Sequence, residues 1–137
     1  MATQLRVNDP LSALVAAVGA ENVRTDDAAC DFYTQDVFTR GPRALAVVRP
    51  TSTDMLARAV ATATAHGLTV MPRGGGMSYT SGYVPPAAGA VMLDMGGMDR
   101  ILAVNEADMT VTVEAGCTWK ALYDRLHPLN LRPPVWG

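Results

Sequence analysis

Leu68-Thr69-Val70-Met71-Pro72-Arg73-Gly74-Gly75-Gly76-Met77-Ser78 is a short apolar run that breaks into three consecutive glycines. The run Leu68–Met71 has the length and flanks of a strand. Glycine loses more conformational freedom on folding than any other residue, so three in a row need a reason. Two physical needs qualify: backbone at positive φ, and close approach of backbone to a ligand. Successive N–H groups with no Cβ between them can form a nest for an anion, typically phosphate. Ser78 adds a hydroxyl donor. Arg73 adds positive charge, unless it pairs with an acid of the same domain. A tight turn with no ligand is the alternative reading of the loop.

Upstream, Ala44-Leu45-Ala46-Val47-Val48-Arg49 is a second apolar run, closed by Pro50, and predicts a buried strand. Thr51-Ser52-Thr53-Asp54 supplies capping hydroxyls and a first-turn acid. Met55, Leu56, Ala59, Val60 and Ala63 share one helical face, and Gly67 closes that helix. Residues 44–71 therefore read strand–helix–strand, a βαβ unit. Further upstream, Asp9-Pro10 is an N-cap followed by proline at the first helical position. Leu11, Leu14, Val15 and Val18 then predict a helix over 10–18, ended by Gly19. Residues 20–43, with Tyr33 and Asp36, give no firm pattern beyond a turn at Gly41-Pro42.

Downstream, a loop runs through Gly82 to Pro85-Pro86, and strands are predicted at Ala90–Asp94, Ile101–Asn105 and Thr110–Glu114. The last alternates polar and apolar residues, as a strand with one wet face does. Gly116 ends it. Thr118 caps a final helix whose buried face is Trp119, Leu122, Tyr123 and Leu126, stopped by Pro128. The order of elements predicts an α+β domain. A helix and lead-in segment occupy 1–43, and the main body occupies 44–137.

The 137 residues amount to one domain by length, and 49% apolar content allows a core. A net charge of −2 gives no pull toward nucleic acid or an anionic membrane surface. No apolar stretch approaches the roughly 20 residues that cross a bilayer. The N-terminus lacks a basic segment followed by an unbroken apolar run, so a cytoplasmic protein is expected. Cys30 and Cys117 have neither CxxC spacing nor a histidine cluster, which argues for two free thiols and against a metal site. The dense methionines, among them Met71, Met77, Met92 and Met95, suit gap-filling in packed surroundings. The chain closes on Pro133-Pro134-Val135-Trp136-Gly137, with no polar tail. That ending reads as part of a longer polypeptide, with Trp136 packing against further residues.

Two phosphate-loop patterns fail against the glycines. The Walker loop needs a Lys-Ser/Thr pair after its last glycine, and the only lysine in the chain is Lys120. The dinucleotide fingerprint needs a third glycine opening a helix, and neither follows Gly74-Gly75-Gly76. His66 and His127 stand at helix ends, where they cap carbonyls and meet the helix dipole. Asp94 and Asp99 bracket a glycine turn, and local backbone bonding is expected of them. No catalytic acid, base or triad can be nominated.

The pieces in order are Val48-Arg49-Pro50, Thr51-Ser52-Thr53-Asp54, Pro72-Arg73-Gly74-Gly75-Gly76-Met77-Ser78, Met92-Leu93-Asp94-Met95, Ile101-Leu102-Ala103-Val104-Asn105 and Val113-Glu114-Ala115-Gly116. In this order they resemble the N-terminal part of the FAD-binding domain of the vanillyl-alcohol oxidase family, the PCMH-type FAD domain. The likeness covers roughly residues 30–137. It implies that Arg73, Gly74, Gly75, Gly76, Met77 and Ser78 wrap the FAD pyrophosphate with backbone amides, with Pro72 leading in. It implies that Tyr79 and Gly82 line the cofactor, and that Gly116 lets the chain pass near the flavin. Several members carry a flavin-linked histidine where this chain has Met77, so no covalent link from this loop is expected. The intact protein is expected to oxidise a small organic substrate through FAD, a 2-hydroxy acid such as lactate or glycolate first and a phenolic alcohol second. A non-catalytic nucleotide-binding module or an inactive remnant is the alternative. The 137 residues alone are expected to hold FAD poorly and to be inactive.

Overall fold

Every residue of β2 (Ala46–Val48) and β4 (Val91–Asp94) is buried. Strands flanked by partners and covered on both faces read as unbroken apolar runs, and these two are such strands. The computed structural model describes residues 9–134. Trp136 and its expected partners lie outside them.

β4 pairs in parallel with β2 on one side and with β3 (Val70–Arg73) on the other. β1 (Val23–Arg24) adds an antiparallel edge beside β2, giving the order β1-β2-β4-β3. The expected βαβ unit forms through α3 (Thr53–Ala65), and β4 fills the gap between its two strands. β3 begins two residues later than expected and runs through Pro72 into Arg73. Proline is tolerated there because β3 is an edge strand, paired among the described residues with β4 alone.

Alternation along the strands separates two layers. Ala46, Val48, Val91 and Leu93 face Leu14 and Val18 of α1 (Pro10–Val18) and Ala59 and Ala63 of α3. Val47 and Met92 face the other way, onto Ala29 and Cys30 of α2 (Asp27–Phe32). The caps are those the sequence offers. Asp9 accepts from the Ser12 amide and Ser52 from the Met55 amide. α2 was not anticipated: its six residues are too few for a periodic signal, although Asp26 caps it by accepting from the Ala29 amide at 2.9 Å.

β5 (Ile101–Asn105) and β6 (Thr110–Val113) form a separate antiparallel ribbon, followed by α4 (Trp119–Leu126). Leu122 and Leu126 are buried as expected, whereas Trp119 is 46% exposed. The reason is geometric. The ribbon and α4 leave an apolar groove of about 350 Å³ between them, and Trp119 stands on its wall rather than under a covering layer.

Gly116 locks this second unit to the first. A Cβ there would lie 1.9 Å from the Met95 carbonyl oxygen, so only glycine lets the chain pass the turn that follows β4. Its N–H donates to the Met98 carbonyl at 2.8 Å. Nearby, the Glu114 carboxylate accepts from the Arg100 backbone amide and from two guanidinium nitrogens at 2.7–3.0 Å. The bonds from the Arg100 side chain and then its backbone hold the Glu114 carboxyl below its usual range.

Gly116→Ala is expected to cost about 3 kcal/mol, because the clash is with backbone that cannot rotate away. Urea unfolding measures it, and an unchanged midpoint would show that the two segments do not approach so closely. Glu114 contributes stability that is complete above the ordinary glutamate range and is lost as pH falls through its depressed value. The stability difference between wild type and Glu114→Gln should therefore be large at pH 7 and shrink towards pH 3. A difference independent of pH would contradict the assignment.

Candidate functional site

β3 and β4 run parallel with Arg73 opposite Asp94, so both strands end at the same edge of the sheet. In open α/β sheets that carboxyl edge is where ligands sit. Asp94 anchors it. One carboxylate oxygen accepts from the Tyr33 hydroxyl and from Arg49, each at 2.7 Å, and the other accepts from the Gly96 amide at 3.0 Å. Arg49 also donates to the Gly96 carbonyl at 3.0 Å. The local Gly96 bond is the one expected from the turn, while the other two partners come from distant segments. Burial, then the bond to Asp94, pushes the Tyr33 hydroxyl above its usual value.

Arg73 has no acidic partner among the described residues. Its guanidinium carbon lies 4.7 Å from the Phe32 ring centroid, 5.0 Å from Tyr33 and 5.2 Å from Tyr83. Phe32 and Tyr33 meet edge to face at 5.3 Å. Among the described residues, Arg73 Nε and the Tyr83 hydroxyl are buried without a hydrogen-bond partner. Above the guanidinium is Gly76, whose φ is +75°, and a Cβ there would come within 2.5 Å of an Arg73 nitrogen. Gly76 is thus favoured by its backbone angle, and the Arg73 guanidinium packs against its bare α-carbon.

Among the described residues, no carbonyl or side chain accepts from the amides of Gly75, Gly76, Met77 or Ser78. The loop is held from its far end instead. The Ser78 carbonyl accepts from the Val37 amide at 3.2 Å, and Asp36 accepts from the amides of Phe38, Thr39 and Ser81. Burial works to raise the Asp36 carboxyl, and those amides outweigh it, leaving the group below its usual range.

A cleft of about 520 Å³ opens between residues 74–78 and Tyr83 on one side and Cys117, Thr118, Trp119 and Lys120 on the other. The second wall is the start of α4. Thr118 Oγ1 accepts from the Ala121 amide at 3.2 Å, while the Trp119 and Lys120 amides have no acceptor among the described residues. A helix start with free amides carries partial positive charge. Lys120 pairs with Asp124 at 2.5 Å. Lys120 therefore borders the cleft with its ammonium committed to Asp124. Burial, then the charge of Asp99, raises the Cys117 thiol, so it is no poised nucleophile.

Of the residues nominated from sequence, Gly74, Gly75, Gly76, Met77 and Ser78 share the cleft wall. Pro72 and Arg73 end β3 beside it. Met77 and Tyr79 are 74% and 70% exposed. Gly82 lies near the Ser78 hydroxyl, and Gly116 sits against Met95. Tyr83 and residues 117–120 were missed. The signal for them was the Thr118 cap directly after Gly116-Cys117, read as a helix start and not as a second wall. His66 Nδ1 meets the Thr62 carbonyl at 2.9 Å, and His127 stacks on Tyr123 at 5.1 Å, so neither enters the cleft. Cys30 and Cys117 are free thiols as expected, and no described cluster of His, Cys, Asp or Glu could hold a metal.

A family model described as FAD binding domain matches residues 44–136. The chain is 30% identical over 131 residues to D-2-hydroxyglutarate dehydrogenase of Xanthomonas citri pv. viticola, which covers 94% of this chain and 28% of that protein. It superposes on 4-ethylphenol oxidase from Gulosibacter chungangensis with a TM-score of 0.76 and 28% identity, over 88% of this chain and 24% of that one. On p-cresol methylhydroxylase the TM-score is 0.74 at 24% identity, over 94% and 26%. The chain spans about a quarter of the length of these proteins. By the match over most of its length and by the fold it shares with these flavoenzymes, the chain belongs to the FAD-binding domain family of the PCMH, or vanillyl-alcohol oxidase, type, whose cofactor is FAD.

Proposed function

We propose that the glycine turn and the start of α4 together grip the diphosphate of FAD, and that the protein carrying this domain is a flavin-dependent oxidoreductase. The observation behind the reading is the run of uncommitted amides from Gly75 to Ser78 in a cleft that Trp119 and Lys120, whose amides are equally uncommitted, also line. A diphosphate only accepts hydrogen bonds, so a wall of donors with no carboxylate among its residues is the matching chemistry. The cleft volume is of ligand size, within the range of roughly 300–1,000 Å³.

Bound FAD supplies the electron-accepting chemistry. The chain's own share is to bind and orient. The loop amides and Ser78 hold the phosphates, and the α4 start adds its partial positive charge. The exposed Met77 and Tyr79 border the path of the cofactor beyond the diphosphate. Residues 44–137 are read as the N-terminal part of the FAD-binding domain, with 1–43 leading into it. The substrate is a small organic molecule, a 2-hydroxy acid in the first place and a phenolic alcohol in the second. The similarity to D-2-hydroxyglutarate dehydrogenase supports the first, and that to 4-ethylphenol oxidase the second. The free thiols Cys30 and Cys117 suit a reducing compartment such as the cytoplasm.

A Cβ at Gly75 meets nothing within 4 Å, so Gly75→Val tests the cradle without disturbing the fold. Thermal stability of the apoprotein should change by no more than about 1 °C, since exposed substitutions of this kind cost under about 0.5 kcal/mol. FAD affinity should fall at least tenfold, read by fluorescence quenching in the complete polypeptide. Full FAD occupancy in the variant would remove the loop from the binding site. Acid denaturation of the flavin-loaded protein should release all flavin from the peptide spanning residues 73–82, because Met77 offers no nitrogen to link it. Flavin retained on that peptide would contradict this.

A further inference from the structure

Arg24, Arg43, Arg49, Arg58, Arg100 and Lys120 each sit within 4 Å of a carboxylate. Among the described residues Arg73, like Arg40, Arg125 and Arg132, has no carboxylate within 4 Å, but it is the arginine that aromatic rings enclose. It nonetheless pairs in register with Asp94. That carboxylate is occupied by Arg49, Tyr33 and the Gly96 amide. Three aromatic rings surround the guanidinium instead, and its Nε has no partner. Ring faces attract a cation without neutralising its charge. An acid at the same place would have cancelled the charge and drawn the side chain away from Gly76.

Resting on the proposed FAD reading, we infer that Arg73 is a positioning residue with an electrostatic role: its uncompensated charge, held under Gly76 by Phe32, Tyr33 and Tyr83, strengthens the grip of the glycine amides on the diphosphate. Gly76 lines the cleft, whereas Arg73 backs it from the sheet side and ends β3. The guanidinium fills the space a Cβ would take at Gly76, whose φ is positive, and so packs directly against the turn. With the backbone held, the amides from Gly75 to Ser78 stay presented to the cleft, and the cation behind them raises the potential an anion meets there. The Asp94 cluster serves the same end. By accepting from the Tyr33 hydroxyl it holds one cage wall in place, and its own charge is paired with Arg49.

The test compares wild type with Arg73→Met and Arg73→Lys in the complete polypeptide, titrating the apoproteins with FAD and, separately, with riboflavin, which lacks phosphate. Arg73→Met should weaken FAD binding 10- to 100-fold and leave riboflavin binding within twofold of wild type. Arg73→Lys should lose less than Arg73→Met, because it keeps the charge and loses only the stacked plane. Should Arg73→Met not fold, Arg73→Gln replaces it with the same expectation. Equal FAD affinity in wild type and the uncharged variant would overturn the inference while leaving the FAD reading intact. An equal loss for FAD and riboflavin would also overturn it, since a merely structural role predicts that result. Failure of the wild type to bind FAD would overturn the reading and the inference together.

Discussion

The pairing of β4 with both β2 and β3 is the constraint from which the rest follows. A strand buried on both faces and hydrogen-bonded on both edges has no freedom of register, because a slip of one residue would turn Val91 and Leu93 away from the α1–α3 layer. With register fixed, Arg73 and Asp94 must end side by side. The chain leaving β3 then has to turn at the one edge of the sheet where Asp94 already organises Arg49, Tyr33 and Gly96. The glycine loop is thus aimed by the sheet and not by its own sequence.

The second wall of the cleft depends on a different contact. Gly116 passes so close to the Met95 carbonyl that the chain after β6 is pinned to the turn after β4. Only two residues separate Gly116 from the start of α4, so pinning one places the other. The start of α4 consequently lines the same cleft as the glycine loop. A need for glycine that the sequence suggested was cofactor contact is accounted for here by backbone packing, and its service to the cleft is to place α4.

Charge is distributed to match. Asp94 is committed to Arg49 and Asp36 to backbone amides, and no carboxylate lines the cleft. What remains there is donor-rich: loop amides, helix-start amides and Ser78. Arg73, caged by rings, adds charge without adding a competing acceptor. An anionic ligand entering such a cleft meets no lining carboxylate and finds the amides from Gly75 to Ser78 without an acceptor among the described residues.

Much of this was legible in the residues. The helix over 10–18 with its Asp9 cap, the strand pairs, the Ser52-capped helix and the glycine loop are local patterns, and local patterns carry their own physics of propensity, capping and periodicity. α2 was not legible, since six residues give no period. Neither was the insertion of β4 between β2 and β3, because strand order is set by which faces can be covered and not by neighbours in the chain. Trp119 was misread for the same reason: its helical spacing says which side it is on, and only the open groove beside the ribbon says that this side stays wet. The sequence alone determined that a run of side-chain-free amides would exist after a strand, and the motif order pointed to FAD. The tertiary structure alone decided what those amides face, which residues back them, and that Lys120 and the start of α4, some forty residues on, complete the wall. Such proximity arises from long-range burial and close backbone approach, and no short window of sequence encodes it.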